Sequence, residues 1–217
     1  LGSLPVVHLL ARRRGVDLRQ AGTGNVGAGN LWQQVGVREG LAGSAADILK
    51  GVLPPLTAAF FGLEPWAAAS SGVAAAAGQM WPLFLGFNGG RGNGTGLAAL
   101  AVVAPSAFAV GFLPLLAGAL LRWRSGLKGQ ASLEAQPWRL QGSMSRSLPL
   151  GALLCFLVVP LAAGFLGHPA SVVVATGAIA LLIVVRRATA ELSQDRQLGE
   201  GRMAILRSRI LYDRERP

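Results

Sequence analysis

Gly22-Thr23-Gly24-Asn25-Val26-Gly27-Ala28-Gly29-Asn30 places four glycines and two asparagines in nine residues, directly after the basic run Arg12-Arg13-Arg14 and Arg19. Glycine frees the backbone to turn and leaves its N–H groups uncovered. Successive uncovered N–H groups form a concave nest that suits an anion. The alternative is a plain glycine-rich connector. Apolar segments flank the stretch on both sides, so its setting is decided by the composition around it.

Apolar residues make up 52% of the 217 residues and charged ones 14%. A typical soluble domain carries roughly 25% charged residues. The apolar excess is gathered in long runs, which is the pattern of a chain that crosses a membrane several times. The net charge is +10. On a soluble chain that would point to nucleic acid. Here the basic residues alternate with apolar segments, so they read as a positive cytoplasmic face beside anionic lipid, with no nucleic-acid partner. Cys155 is the single cysteine and stands in an apolar run, and His8 and His168 lie far apart. No metal site and no cofactor are expected from such a set.

Segment one runs from Leu1 to about Leu10, too short to cross a core of ~30 Å, which takes about 20 helical residues. The chain opens on Leu1-Gly2 without a methionine, and the native N-terminus is expected upstream. Segment two covers about Gly40 to Gly62 and holds Asp47 and Lys50, which share a helix face. Ionisable groups inside an apolar helix are costly and by default face a polar cavity or each other. Pro54 and Pro55 are expected to kink this helix. Segment three is Trp66 to Phe87.

A second cluster follows at Asn88-Gly89-Gly90-Arg91-Gly92-Asn93-Gly94-Thr95-Gly96, five glycines around one arginine. The arginine fork pairs two phosphate oxygens, and the glycines let the backbone approach the anion. The run from Leu97 to Leu121 then reads as a hairpin of two short helices turning at Ala104-Pro105-Ser106. The loop from Arg122 to Arg146 holds five basic residues against Glu134 alone, so it belongs inside, as does the Arg91 loop. Segment six is about Ser147 to Gly167, with His168-Pro169 as an outer turn. Segment seven is Ala170 to Val185, closed by Arg186-Arg187. The tail begins as a surface helix and ends disordered. The chain is thus expected to be an all-α polytopic membrane protein of about seven transmembrane helices, the first truncated and some short, with cytoplasmic Gly-rich loops.

Several of these stretches resemble one family. Gly2-Ser3-Leu4-Pro5, Gly15-Val16-Asp17-Leu18-Arg19 and the loop Gly22 to Asn30 resemble the opening of the acyl-phosphate-dependent glycerol-3-phosphate acyltransferases (the PlsY family). Asp47-Ile48-Leu49-Lys50-Gly51 is similar to its Asp-x-x-Lys-Gly helix. Trp81 to Gly92 is similar to its second glycine motif, and Arg122 with Ser125 to a later Arg-x-x-Ser. The resemblance spans about Gly2 to Lys128. The chain departs from the family at Gln79, where a histidine is usual, and at Arg91, where a lysine is usual. Gln33 stands near a usual arginine. The last helix reads Arg186-Arg187-Ala188-Thr189 in place of His-Arg-x-Asn.

The resemblance implies a multi-pass enzyme of the bacterial inner membrane with its active face in the cytoplasm. Residues 1–187 would form an integral membrane acyltransferase-like domain and 188–217 a charged cytoplasmic tail. The partners would be acyl phosphate, glycerol 3-phosphate and the lipid bilayer. The reaction moves the acyl chain to the glycerol hydroxyl and gives lysophosphatidic acid and phosphate.

Acyl phosphate is already activated, so the protein's task is to hold two anions side by side and stabilise developing charge. Thr23, Lys50 and Arg91 are the expected catalytic residues. Gly22, Gly24, Asn25, Gly27, Asn30, Asp47, Gly89, Gly90, Gly92, Thr95, Arg122 and Ser125 are the expected substrate and phosphate contacts. His8 lies too early in segment one to be expected as a base. Two other classes stay open. One is a non-catalytic membrane protein that binds phospholipid headgroups or phosphorylated metabolites. The other is a small transporter built on broken helices around Asp47 and Lys50.

Overall fold

Residues 1–129, 147–189 and 210–211 are described by the computed structural model. Much of the basic loop and nearly all of the tail expected at 188–217 lie outside the described residues, as do the side chains of Arg122 and Ser125. Among the described residues every regular element is helical. The order is α1 Val6–Arg13, α2 Ala28–Gln34, α3 Val37–Phe60, α4 Pro65–Met80, a 3-10 turn at Leu83–Leu85, α5 Asn93–Val103, α6 Pro105–Gly129, α7 Ser147–Phe165 and α8 Ala170–Thr189.

The break at Ala104 is a true reversal. Ala104 leaves helical geometry at φ −141° and ψ 69°, as the residue before a proline is sterically pushed to do. Asn93, at the start of α5, meets Arg187 at the end of α8. Ser106, at the start of α6, meets His168 in the turn between α7 and α8, with Oγ and Nε2 2.8 Å apart. Further along α6, Pro114 and Leu115 pack against Gly151 near the start of α7. So α5 runs away from the glycine loops and α6 runs back, as the hairpin reading expects.

Helix α3 carries Pro54 and Pro55 within its length. One expected boundary is corrected. Segment three, expected to reach Phe87, stops at Met80. Pro82 has no N–H to continue the ladder, Trp81 before it sits at φ −126° and ψ 66°, and Gly86 turns left-handed at φ 59°. That early stop leaves the last carbonyls of α4 open to the loop that follows.

The core lies where α4, α5, α7 and α8 meet, around Met80, Leu100, Phe156, Val159, Ile179 and Ile183. Small residues set the approach of the helices. A Cβ on Gly51 of α3 would collide with the Thr95 carbonyl oxygen of α5, and one on Gly111 of α6 with the side chain of Val159. Close backbone contact of this kind favours association where burial of apolar surface adds no drive, as in lipid. The outside is strongly apolar. Phe60 is 82% exposed, Phe165 92% and Val174 70%. An apolar shell of that extent is covered by lipid or protein in any stable setting. Among the described residues one helix, Ala170–Thr189, is by itself long and apolar enough to span a bilayer. Asn93–Val103, Pro105–Leu121 and Pro149–Phe165 are shorter apolar helices.

Candidate phosphate and acyl-transfer site

The first glycine loop is held from inside by Asn30. This residue sits in the first turn of α2, a helix that begins within the stretch expected to be loop. It is 3% exposed. Its Nδ2 donates to the carbonyls of Leu18 (3.2 Å), Ala21 (2.9 Å) and Asn25 (3.0 Å), and its Oδ1 accepts from the N–H of Thr23 (3.2 Å). An amide offers two donors and one carbonyl acceptor, so every polar atom of the side chain is used on the loop itself. Gly22 is required there twice over. Its φ is +62°, and a Cβ would run into Asn30 Oδ1 and the Gln34 side chain.

Upstream, Asp17 receives Arg19 through Nη2 at 2.8 Å and Nε at 3.0 Å. Those hydrogen bonds hold the Asp17 carboxyl well below the usual carboxylate range. Arg14 pairs with Glu39 at the start of α3, so the basic run is anchored to the helix that follows the loop.

The second loop folds back on α4. The N–H of Gly89 donates to the carbonyl of Met80 (3.2 Å) and that of Gly90 to the carbonyl of Gln79 (3.2 Å). These close two of the carbonyls that every helix leaves open at its C-terminus. A Cβ on Gly89 would lie 2.5 Å from the Gln79 carbonyl oxygen and would strike Pro82. One on Gly90 would lie 2.9 Å from the carbonyl oxygen of Val26, in the first loop. The two glycine loops are therefore in contact, and glycine is what lets them touch.

From the other side Arg186 reaches in. Its Nη2 donates to the Gly89 carbonyl (2.7 Å) and its Nε to the Gly90 carbonyl (3.1 Å), with Asn88 Oδ1 at 3.4 Å. Its guanidinium also lies over the Trp81 ring, 5.8 Å from the centroid. Arg187 donates to Asn93 Oδ1 (3.3 Å) and to the carbonyls of Pro149 (3.3 Å) and Ile210 (3.0 Å). Both arginines are buried. The sequence assigns them to closing segment seven. In the structure they form the last turn of α8 and brace the second loop and its surroundings.

Lys50 stands beneath this junction. It is buried on α3, with Nζ 2.6 Å from Gln79 Oε1 and 3.4 Å from Asp47 Oδ1. The two readings of Asp47 and Lys50 thus hold together: they pair with each other, and Lys50 also lines a cavity. Val26 of the first loop, Gly89 and Gly90 of the second, Gln79 and His8 share its wall. Asp47 supports the site from behind. Its backbone carbonyl accepts the Thr95 hydroxyl at 2.8 Å, which fastens α5 to α3.

Lys50, Gly89 and Gly90 are the expected site residues that line the cavity. Thr23, Gly22, Gly24, Asn25 and Gly27 lie on the first loop, with Thr23 partly buried. Arg91 and Gly92 continue the second loop, with Arg91 partly buried. Two expectations change. Thr95 is fully buried, and its hydroxyl is committed to the α3–α5 joint. The nest of uncovered amides is also narrower than the glycine count suggests. Thr23, Gly24, Gly89 and Gly90 all donate their N–H groups within the protein. At Gly89 and Gly90 the missing side chain serves close packing. Sequence reasoning missed Gln79 and Arg186 as supports of the site and discounted His8, which lines it. A polar residue amid the alanines of α4 and an arginine pair ending an apolar helix were the available signals.

The model of the family described as glycerol-3-phosphate acyltransferase matches residues 1–193. Glycerol-3-phosphate acyltransferase 4 of Dehalococcoides mccartyi (strain CBDB1) is 45% identical over 106 residues, 48% of this chain and 46% of that protein. The chain thus spans about half the length of that relative. The glycerol-3-phosphate acyltransferase of Endomicrobium trichonymphae is 33% identical over 189 residues, 87% of this chain and 83% of that protein. The fold is similar to the crystal structure of PlsY, described as an integral membrane glycerol 3-phosphate acyltransferase in its glycerol 3-phosphate form. The TM-score is 0.68 and the identity 29%, covering 94% of this chain and 92% of that one. With its all-helical fold, its two touching glycine loops and its buried lysine, this chain belongs to the glycerol-3-phosphate acyltransferase family.

Proposed function

We propose that the chain is a membrane acyltransferase that moves an acyl group from acyl phosphate to glycerol 3-phosphate. The observation that carries the reading is the cavity shared by Lys50 and both glycine loops. A buried ammonium in a polar cavity favours an anion there, because little solvent is present to screen it. The solved PlsY structures include a glycerol 3-phosphate form and a lysophosphatidic acid form, which supports the same acceptor and product here.

In the reaction the acceptor hydroxyl oxygen bonds to the acyl carbonyl carbon. The bond from that carbon to the phosphate oxygen breaks, and phosphate leaves. The hydroxyl proton passes to a phosphate oxygen, so no protein base is required. Lys50 holds phosphate charge at the cavity wall. Arg91, on the second loop, pairs phosphate oxygens, and Thr23 donates to the reacting carbonyl or phosphate. Asn30 and Arg186 keep the loops in place. The site opens to the cytoplasmic side of the bacterial inner membrane, and the acyl chain lies between helices.

The test uses purified protein, acyl phosphate and labelled glycerol 3-phosphate. Lysophosphatidic acid forms with the native chain and is lost with Lys50→Ala and with Arg91→Ala. Binding of glycerol 3-phosphate with no turnover would instead identify a non-catalytic binder of phosphorylated molecules. The end of α8 favours that second reading, because Arg186 stands where the family's histidine is usual and spends its guanidinium on loop carbonyls.

A further inference from the structure

His8 belongs to the cavity and has no assigned task. It sits in α1, is 8% exposed, and lines the same wall as Lys50, Gln79 and Val26. Its Nδ1 is buried and has no hydrogen-bond partner among the described residues. Most buried polar side-chain atoms do have a partner, so an orphan calls for a specific explanation. A leucine or phenylalanine would fill this place on the apolar face of α1, beside Val7 and Ala11, without leaving a nitrogen dry. Polar groups that share the wall are engaged elsewhere: the Gln79 side-chain oxygen accepts from Lys50, and the Gly89 and Gly90 amides are donated to α4. His8 thus lines a cavity that also holds Lys50, while one of its own ring nitrogens has no partner among the described residues.

We propose that His8 is a substrate-binding residue whose Nδ1 makes a hydrogen bond to a hydroxyl of the acceptor, a small phosphorylated polyol. This rests on the functional reading above. An imidazole nitrogen either donates or accepts, depending on its tautomer or charge, and a hydroxyl can do both. The pairing is therefore satisfied in either form. A charged phosphate oxygen only accepts, and Lys50 already supplies a charged donor for it in the cavity, which leaves the polyol hydroxyl to His8. His8 thus separates a phosphorylated polyol from bare phosphate.

The experiment titrates glycerol 3-phosphate, and separately inorganic phosphate, into the purified full chain by calorimetry. His8→Phe keeps the volume apolar and weakens glycerol 3-phosphate at least tenfold, while phosphate affinity changes less than twofold. His8→Asn restores a polar atom near the same place and recovers part of the loss. The chain has two histidines, so ring-15N labelling gives a second readout that needs no variant to fold. Adding glycerol 3-phosphate shifts the His8 nitrogen signals and leaves those of His168, which lies at the far end of the bundle. Binding to the native chain with unmoved His8 signals, or equal affinity in His8→Phe, overturns the role of His8 and leaves the acyltransferase reading standing. No binding of glycerol 3-phosphate to the native chain overturns both.

Discussion

Arg186 Nη2 lies 2.7 Å from the carbonyl oxygen of Gly89, across 97 residues of sequence. This bond ties the last turn of α8 to the loop that lines the Lys50 cavity. A charged donor on a buried carbonyl is worth about 1.5–3 kcal/mol, and Arg186 makes a second such bond to Gly90. Arg186→Ala is therefore expected to lower stability by about 3 kcal/mol and acyl transfer by more than tenfold. Arg186→Lys keeps the charge but cannot fork between two carbonyls, so it recovers less than half of the loss. Thermal unfolding in detergent and acyl-transfer rates check both. Unchanged activity in Arg186→Ala would separate the clamp from function.

Asn30→Asp changes one atom and removes both amide hydrogens. Three carbonyls then face a carboxylate where they faced a donor. Repulsion adds to the lost bonds, so Asn30→Asp is expected to be more damaging than Asn30→Ala, by about 1 kcal/mol or more. The usual rule that the isosteric change is the milder one is reversed here. Denaturation of the two variants side by side decides it.

Lys50 and Asp47 are buried together, so removing one strands the other. Lys50→Met alone leaves an unpaired buried carboxylate and is expected to cost about 3–5 kcal/mol. Lys50→Met with Asp47→Asn removes both charges and recovers most of that stability. Activity stays absent in the double variant, because the anion-holding charge is gone. Recovered turnover in the double variant would remove Lys50 from the mechanism.

Asp17 gives the pH dependence. Its carboxyl is held below the usual range by hydrogen bonds from Arg19. A depressed folded-state value contributes stability that is fully present above the unfolded value, about 3.9, and lost as pH falls through the folded one. Asp17→Asn removes that contribution, so native chain and variant converge in stability as the medium is acidified below about pH 4. Unfolding curves from pH 7 downward measure the convergence. A gap that widens on acidification contradicts it.

What the sequence discloses about this fold follows from how local the signal is. Lys50 stands out because a charge within an apolar helix has few benign explanations. The hairpin at Ala104-Pro105 is legible from charge parity on either side of one apolar run. Arg186 is not legible as a clamp, because an arginine at the end of an apolar helix also anchors the helix at the interface. Its partners, Gly89 and Gly90, are set by tertiary packing alone. Thr95 is misread for a related reason. In a glycine-rich loop it suggests a phosphate contact, but α5 begins two residues earlier and turns its hydroxyl onto α3. His8 is discounted by its distance along the chain, whereas the path of α1 brings it to the cavity.

Gly90 and Gly29 come from the two glycine clusters and separate packing from mere glycine content. A Cβ on Gly90 would meet the Val26 carbonyl oxygen at 2.9 Å and Gln79 Nε2 at 3.3 Å, both walls of the cavity. A Cβ on Gly29 meets nothing within 4 Å, and Gly29 lies in α2. Gly90→Ala must therefore push the two loops apart. It is expected to cost about 1–3 kcal/mol, as overpacked sites do, and to reduce acyl transfer more than tenfold. Gly29→Ala is expected to be active and to gain up to about 1 kcal/mol, since alanine is the better helix former. If both clusters served only as flexible anion cradles, the two substitutions would impair turnover alike. Stability and turnover of the pair, measured in the same detergent, distinguish these cases, and equal loss of activity in both would mean that contact between the loops is not what their glycines provide.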